Sequence, residues 1–305
     1  MLPTRQGSFR LFRFAGIDVF LHWSWFLVAV YGIYARQGKY SSFIWNVVEY
    51  LALFVIVLMH EFGHALACRQ VGGQADQIVL WPLGGVAYVA PPCRPGATLW
   101  SIAAGPLVNV MLAPILIAFW FISRSLGWAE TLPDVHAFVR TICYINLALL
   151  VFNMLPVYPL DGGQILRALL WFPMGRARSL MTATILGFAG VACLIALAVL
   201  SRSKWLGILC VFILFNCWRG LQQARALLRV ANLPRHEGFA CPICKSPPLK
   251  GLFWTCSKCG NPFDTFECQA VCPHCATQFG TTSCSDCGSV SPFNTWQIPA
   301  PLQPA

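Results

Sequence analysis

The chain has 305 residues, of which 57% are hydrophobic and only 10% charged, and its formal net charge is +10. A soluble domain averages about 25% charged residues, so the composition excludes an ordinary soluble enzyme and predicts a polytopic membrane protein. The basic excess fits the positive-inside bias of membrane loops better than nucleic-acid binding.

In chain order, the 17 uncharged residues between Asp18 and Arg36 predict a first span. His22 lies there between Leu21 and Trp23, in an aromatic stretch that reads as an interfacial belt rather than a metal site. A second apolar run starts after Glu49 and continues through His60-Glu61-Phe62-Gly63-His64 to Cys68. This is an H-E-x-x-H motif. On a helix its histidines stand one turn apart on one face, so both imidazoles can bind one zinc ion. Glu61 adjoins the first histidine and can take a proton from a water that the metal activates. Two pore-lining histidines with a paired glutamate are the plainer reading. Such residues are costly inside a membrane helix unless they are used, which favours the metal.

Residues 77–91, QIVLWPLGGVAYVAP, place two apolar strands around Pro82-Leu83-Gly84-Gly85 and predict a β-hairpin. Its edge, with Gly84 and Gly85, either takes up an extended substrate peptide by strand addition or is a plain turn. A third run, Thr98 to Ser123, has no charged residue and contains Asn109. The Asn109 amide either contacts substrate or bonds between helices.

The fourth span, Thr141 to Leu160, leads into Asn153-Met154-Leu155-Pro156-Val157-Tyr158-Pro159-Leu160-Asp161-Gly162-Gly163. Two prolines three apart cannot sit in a regular helix, so the backbone unwinds. Unwound backbone at membrane depth is tolerated only around a polar cavity or inside protein. A catalytic zinc usually has three protein ligands, and Asp161 at this break is the expected third. Its competing role is N-cap of the following helix. The Asn153 amide either holds a substrate backbone, polarises a scissile carbonyl, or bonds between helices. A fifth span fills the interval from Arg178 to Arg202, and a sixth runs from Trp205 to about Trp218.

Six spans put both termini on one side. Arg5, Arg10, Arg13, Arg69, Arg94, Arg176 and Arg178, with Arg219, Arg225, Arg229 and Arg235, fall on that side, against Arg36, Lys39, Arg124, Arg202 and Lys204 opposite. The asymmetry predicts cytoplasmic termini. Near residue 231 the composition turns to Pro, Cys, Ser and Gly. Four C-x-x-C pairs follow: Cys241/Cys244, Cys256/Cys259, Cys272/Cys275 and Cys284/Cys287. In a reducing cytoplasm they predict two structural zinc ions in a double zinc ribbon, with the pairing of knuckles open. Charges in this stretch are balanced, which favours a cytoplasmic protein partner over nucleic acid. The expected organisation is a membrane domain over 1–230, the ribbons over 231–290 and a loose Pro-rich end over 291–305.

HEFGH followed by NMLPVYPLDGG resembles the site-2 protease family of intramembrane zinc metalloproteases, peptidase family M50. The resemblance spans roughly residues 15 to 230, including FLHWSW, PLGG and Ala104-Gly105-Pro106-Leu107-Val108-Asn109. It implies an all-α polytopic fold with about six transmembrane helices, a short membrane-associated β-hairpin and a core made by the second, third and fourth spans. It also implies one catalytic zinc bound by His60, His64 and Asp161, Glu61 as catalytic base, and cleavage of a transmembrane segment of another membrane protein. The rival function is a non-catalytic membrane scaffold that recruits a cytoplasmic partner through the ribbons. A six-span transporter is the third reading, but no internal repeat supports it.

Overall fold

In the computed structural model, the described residues are 7–36, 38–81 and 84–298. The chain divides into two compact units, residues 1–224 and 225–305. The first unit orders its elements as β1 (Ser8–Phe14), β2 (Ile17–His22), α1 (Ser24–Ala35), α2 (Phe43–Gln70), β3 (Gln74–Trp81), β4 (Gly84–Ala90), α3 (Pro95–Ser125), α4 (Trp128–Thr131), α5 (Pro133–Asn153), α6 (Asp161–Leu200) and α7 (Lys204–Ala231).

Five helices, α2, α3, α5, α6 and α7, are long and apolar enough to cross a membrane. Large apolar side chains such as Val55, Met111, Val151, Ile185 and Val211 are exposed along them. That is costly in water and ordinary against lipid. Of the six expected spans, the sixth (Trp205 to about Trp218) falls in α7, and the first, after Asp18, is the one not among these five. Val19 to His22 pair in a sheet, which leaves α1 with 12 residues. A helix of that length spans about 18 Å, short of the roughly 30 Å hydrocarbon core.

The predicted hairpin is half of a larger sheet. Its strands β3 and β4 join β1 and β2 in the order β1-β2-β3-β4, with β2 parallel to β3 from Asp18↔Gln77 to Leu21↔Leu80. A parallel pair needs a long crossover, and α1 with α2 supplies it. The inner face of the sheet, Ile17, Val19, Ala75, Ile78 and Leu80, packs with Ala65 and Cys68 of α2 and Trp25 of α1. The sheet therefore lies along the helix that carries H-E-x-x-H. The tip residues Pro82 and Leu83 lie outside the described residues.

Helices α2 and α3 meet at backbone distance. A Cβ added to Gly63 would sit 2.7 Å from the Ala104 carbonyl oxygen, so small residues set this crossing. After α5 the chain unwinds over 154–160, as the two prolines require. Glycine then permits tight passage: a Cβ on Gly162 would meet the Met154 carbonyl oxygen at 2.3 Å. Val157 from this loop is buried with Val191, Ile213 and Cys217 of α6 and α7. Gly175, at φ 78, breaks α6 into 161–174 and 176–200.

The second unit holds two small hairpins, β5 (Trp254–Thr255) with β6 (Pro262–Phe263) and β7 (Thr281–Ser283) with β8 (Val290–Pro292). The end expected to be loose is packed over its first part. A 3-10 turn at Phe293–Trp296 follows β8, and the fully buried Trp296 joins Cys241, Phe266 and Cys284 in a core. An indole of that size stabilises by roughly 2–3 kcal/mol when buried, which outweighs the polar composition that predicted disorder. Residues 299–305 lie outside the described residues.

Candidate metal centre

His60, Glu61 and His64 are 6%, 5% and 8% exposed on α2. The helical i, i+4 spacing brings the two imidazoles to one side, with ring centroids 4.7 Å apart. Gly105 of α3 makes room for them: a Cβ there would fall 2.2 Å from His64 Nε2. Asp161 comes from a different part of the chain. It is the first residue of α6, whose N-cap is Leu160, so the alternative capping role does not apply. Its Oδ2 lies 3.0 Å from His60 Nε2 and 3.4 Å from His64 Nε2, and the two Nε2 atoms are 3.1 Å apart.

The hydrogen bonds behind the rings fix what those three atoms are. His64 Nδ1 is 2.9 Å from the Ser101 carbonyl oxygen, and His60 Nδ1 is 2.7 Å from Asn109 Oδ1. The Asn109 amide is oriented in turn: Asn146 Nδ2 donates to the Asn109 carbonyl at 3.0 Å, and Asn109 Nδ2 donates to Asn146 Oδ1 at 2.8 Å. Both imidazoles therefore donate from Nδ1 and turn an Nε2 lone pair toward Asp161. Two lone-pair nitrogens and a carboxylate oxygen at 3.0–3.4 Å repel one another unless a cation lies among them. Ligand atoms about 2.05 Å from a tetrahedral zinc stand about 3.3 Å apart. The observed separations fit that ion.

Of the expected site residues, His60, His64 and Asp161 converge within 4.8 Å. Asn109 is fully buried, with its side chain hydrogen-bonded to His60 and Asn146. Asn153 is the partly buried last residue of α5, before the unwound loop. Gly84 and Gly85 pair with Trp81 and Leu80 in β4, the edge strand of the sheet. Sequence reasoning missed Asn146 and Ser101, both fully buried. The signal for Asn146 was available: a lone amide in the middle of an apolar helix needs a partner.

The second unit carries two further clusters, and they resolve the pairing that the sequence leaves open. Cys241 and Cys244 meet Cys284 and Cys287, while Cys256 and Cys259 meet Cys272 and Cys275. The pairing is nested, because the first and last knuckles are brought together around Trp296 and Phe266. Sulfur separations are 3.8 Å for Cys241–Cys287, 3.7 Å for Cys244–Cys284, 3.6 Å for Cys256–Cys275 and 3.7 Å for Cys259–Cys272. Thiolates about 2.3 Å from a tetrahedral zinc would be about 3.8 Å apart, so both sets fit zinc. Between them Asp264 ties the loops. Burial would raise its carboxyl, yet bonds from Gly251 N, His236 and the amides of Glu267 and Phe266 hold it below its ordinary value.

Comparison with known proteins places this geometry in a family. The model described as Peptidase family M50 matches residues 48–132 and 127–197. A zinc metalloprotease of Methanocaldococcus jannaschii is 30% identical over 229 residues, covering 74% of this chain and 63% of that protein. Stage IV sporulation protein FB of Bacillus subtilis is 33% identical over 118 residues, 38% of each chain. The chain thus spans less than two thirds of the length of these curated relatives. Among solved structures, the site-2 protease from Methanocaldococcus jannaschii aligns with a TM-score of 0.52 at 27% identity, over 70% of this chain and 95% of that one.

Proposed function

The chain belongs to peptidase family M50, and on that premise we propose that it is an intramembrane zinc endopeptidase that cuts a peptide bond in or near the transmembrane segment of a membrane-anchored protein. The observation that carries this reading is the facing of three acceptor atoms, His60 Nε2 and His64 Nε2 on buried side chains and Asp161 Oδ2 on a partly buried one, all on membrane-span helices. A zinc ion bound there supplies Lewis acidity toward a scissile carbonyl and a nucleophile near neutral pH. Glu61 acts as general base and then returns the proton to the leaving amine. Asn109 and Ser101 hold the histidine tautomers. Asn153 holds the substrate backbone, and the β4 edge at Gly84 and Gly85 receives it as an added strand. A strand-like substrate suits this chemistry, because a helical peptide bond is shielded by its own hydrogen bonds.

In the same reading the chain holds three zinc ions, one at His60, His64 and Asp161 and two in the nested cysteine clusters. Arg219, Arg225, Arg229 and Arg235, around the end of the last helix, favour a cytoplasmic C-terminus, where the ribbons dock a cytoplasmic protein. The non-catalytic scaffold is not favoured, since a scaffold has no use for a buried glutamate beside a metal ligand. The test is coexpression of single-span membrane substrates with the wild type and with Glu61→Gln. Cleavage by the wild type alone is expected, with a loss of at least a hundredfold in the variant. Equal cleavage by both would sink the reading.

A further inference from the structure

Glu49 precedes His60 on α2 by eleven residues, about 16 Å along the helix. It is 2% exposed and holds Arg36 through Oε1. Its Oε2 accepts from Lys39 Nζ at 2.7 Å and from the Tyr40 hydroxyl. Lys39 also donates to Thr141 Oγ1 of α5 at 2.7 Å. At this end of the two helices lies a cavity of about 430 Å³. Arg36, Lys39 and Arg140 line one part of it, and Tyr144, Ile145 and Ala148 line the other.

The charges do not balance. Three cations face one carboxylate, which leaves +2. Asp134, the other acid nearby, accepts from the Ser41 amide and hydroxyl and keeps its charge, so counting it lowers the excess to +1. Arg140 is exposed and makes no ion pair among the described residues. Burial, with Arg36 and Arg140 beside it, pulls the Lys39 ammonium down to about 8. Each neighbouring cation thus opposes the others, and an anion would relieve all three.

The shape selects among anions. Arg140, Tyr144 and Ala148 are spaced i, i+4 and i+8, with Ile145 beside them, so they form one face of α5. That face changes from cationic to apolar over about 12 Å, along a helix long and apolar enough to cross the membrane. A free phosphate would satisfy the cations and leave the apolar part wet. We propose that this cavity binds the phosphate of an anionic phospholipid, with the head group on Arg140 and Lys39 and the upper acyl chain along Tyr144, Ile145 and Ala148. Arginine and lysine donate charge-assisted hydrogen bonds to phosphate oxygens on either side of a membrane. The site is independent of whether the metal centre is catalytic.

The test is native mass spectrometry of the full chain in neutral detergent, with short-chain phosphatidylglycerol, phosphatidylcholine and inorganic phosphate as probes. One phosphatidylglycerol should be retained in preference to phosphatidylcholine at equal concentration. Arg140→Gln should weaken that binding about fivefold, since one cation near a lipid phosphate is worth about 1 kcal/mol. Arg178→Gln, a basic residue outside the cavity, should leave it unchanged. An unaltered zinc content shows that the variants fold. Equal retention of the two lipids, or wild-type retention by Arg140→Gln, overturns the proposal. Displacement of the lipid by equimolar inorganic phosphate would assign the site to a free anion, and displacement by an acidic peptide would assign it to a protein ligand. Either result also overturns it.

Discussion

Replacing Asn109 by alanine removes the acceptor that holds His60 Nδ1 at 2.7 Å and the donor that holds Asn146 Oδ1 at 2.8 Å. The first loss frees the His60 ring to turn or change tautomer, and an Nε2 that carries the proton cannot bind a metal. Outer partners of ligating histidines are typically worth 10–100-fold in metal affinity, or about 1.4–2.7 kcal/mol. The second loss strands a buried carbonyl oxygen, at a cost of about 1–3 kcal/mol in stability. Asn109→Asp separates the two effects. It still accepts from His60 but cannot donate to Asn146, so zinc affinity should hold while stability falls. Zinc per chain, counted after dialysis against graded chelator, is the assay. Wild type and Asn109→Asp should fall from three to two at similar chelator strength. Asn109→Ala should fall at a strength ten to a hundredfold lower, with the two thiolate-bound ions as internal standard. If Asn109→Ala loses its third zinc together with the wild type, the hydrogen bond does not tune the metal and the reasoning fails.

Two other predictions use the same zinc count. Gly105→Ala places a Cβ 2.2 Å from His64 Nε2, so the ring must move by roughly 1 Å or more. Zinc should drop to two per chain and proteolysis by at least a hundredfold, with helix content by circular dichroism unchanged; a fully loaded, active variant would show that α3 does not confine the histidine. Cys284→Ser should release one zinc and make Cys241, Cys244 and Cys287 open to alkylation, while Cys256, Cys259, Cys272 and Cys275 stay protected. Alkylation of Cys272 and Cys275 instead would mean that consecutive knuckles pair, contrary to the nested arrangement.

Much of the metal centre is legible in the chain because its geometry is local. Residues four apart on a helix share a face whatever surrounds them, so His60 and His64 announce a shared ligand. Prolines three apart forbid a helix, so the break before Asp161 follows from Pro156 and Pro159 alone. A cysteine knuckle is likewise built within four residues. What packing decides is which distant segments meet. The apolar stretch after Asp18 reads as a span, and only the partner β3 and the face of α2 draw Val19 to His22 into a sheet. Nothing near Asn109 says whether its amide faces substrate or a histidine until Asn146 arrives from α5 to orient it. Knuckle pairing, too, waits on Trp296, whose burial joins the first and last pairs and leaves the middle two to each other. Local dihedral and periodicity rules set each half-site. The meeting of the halves depends on long-range burial and hydrogen bonding, which no short stretch of sequence contains.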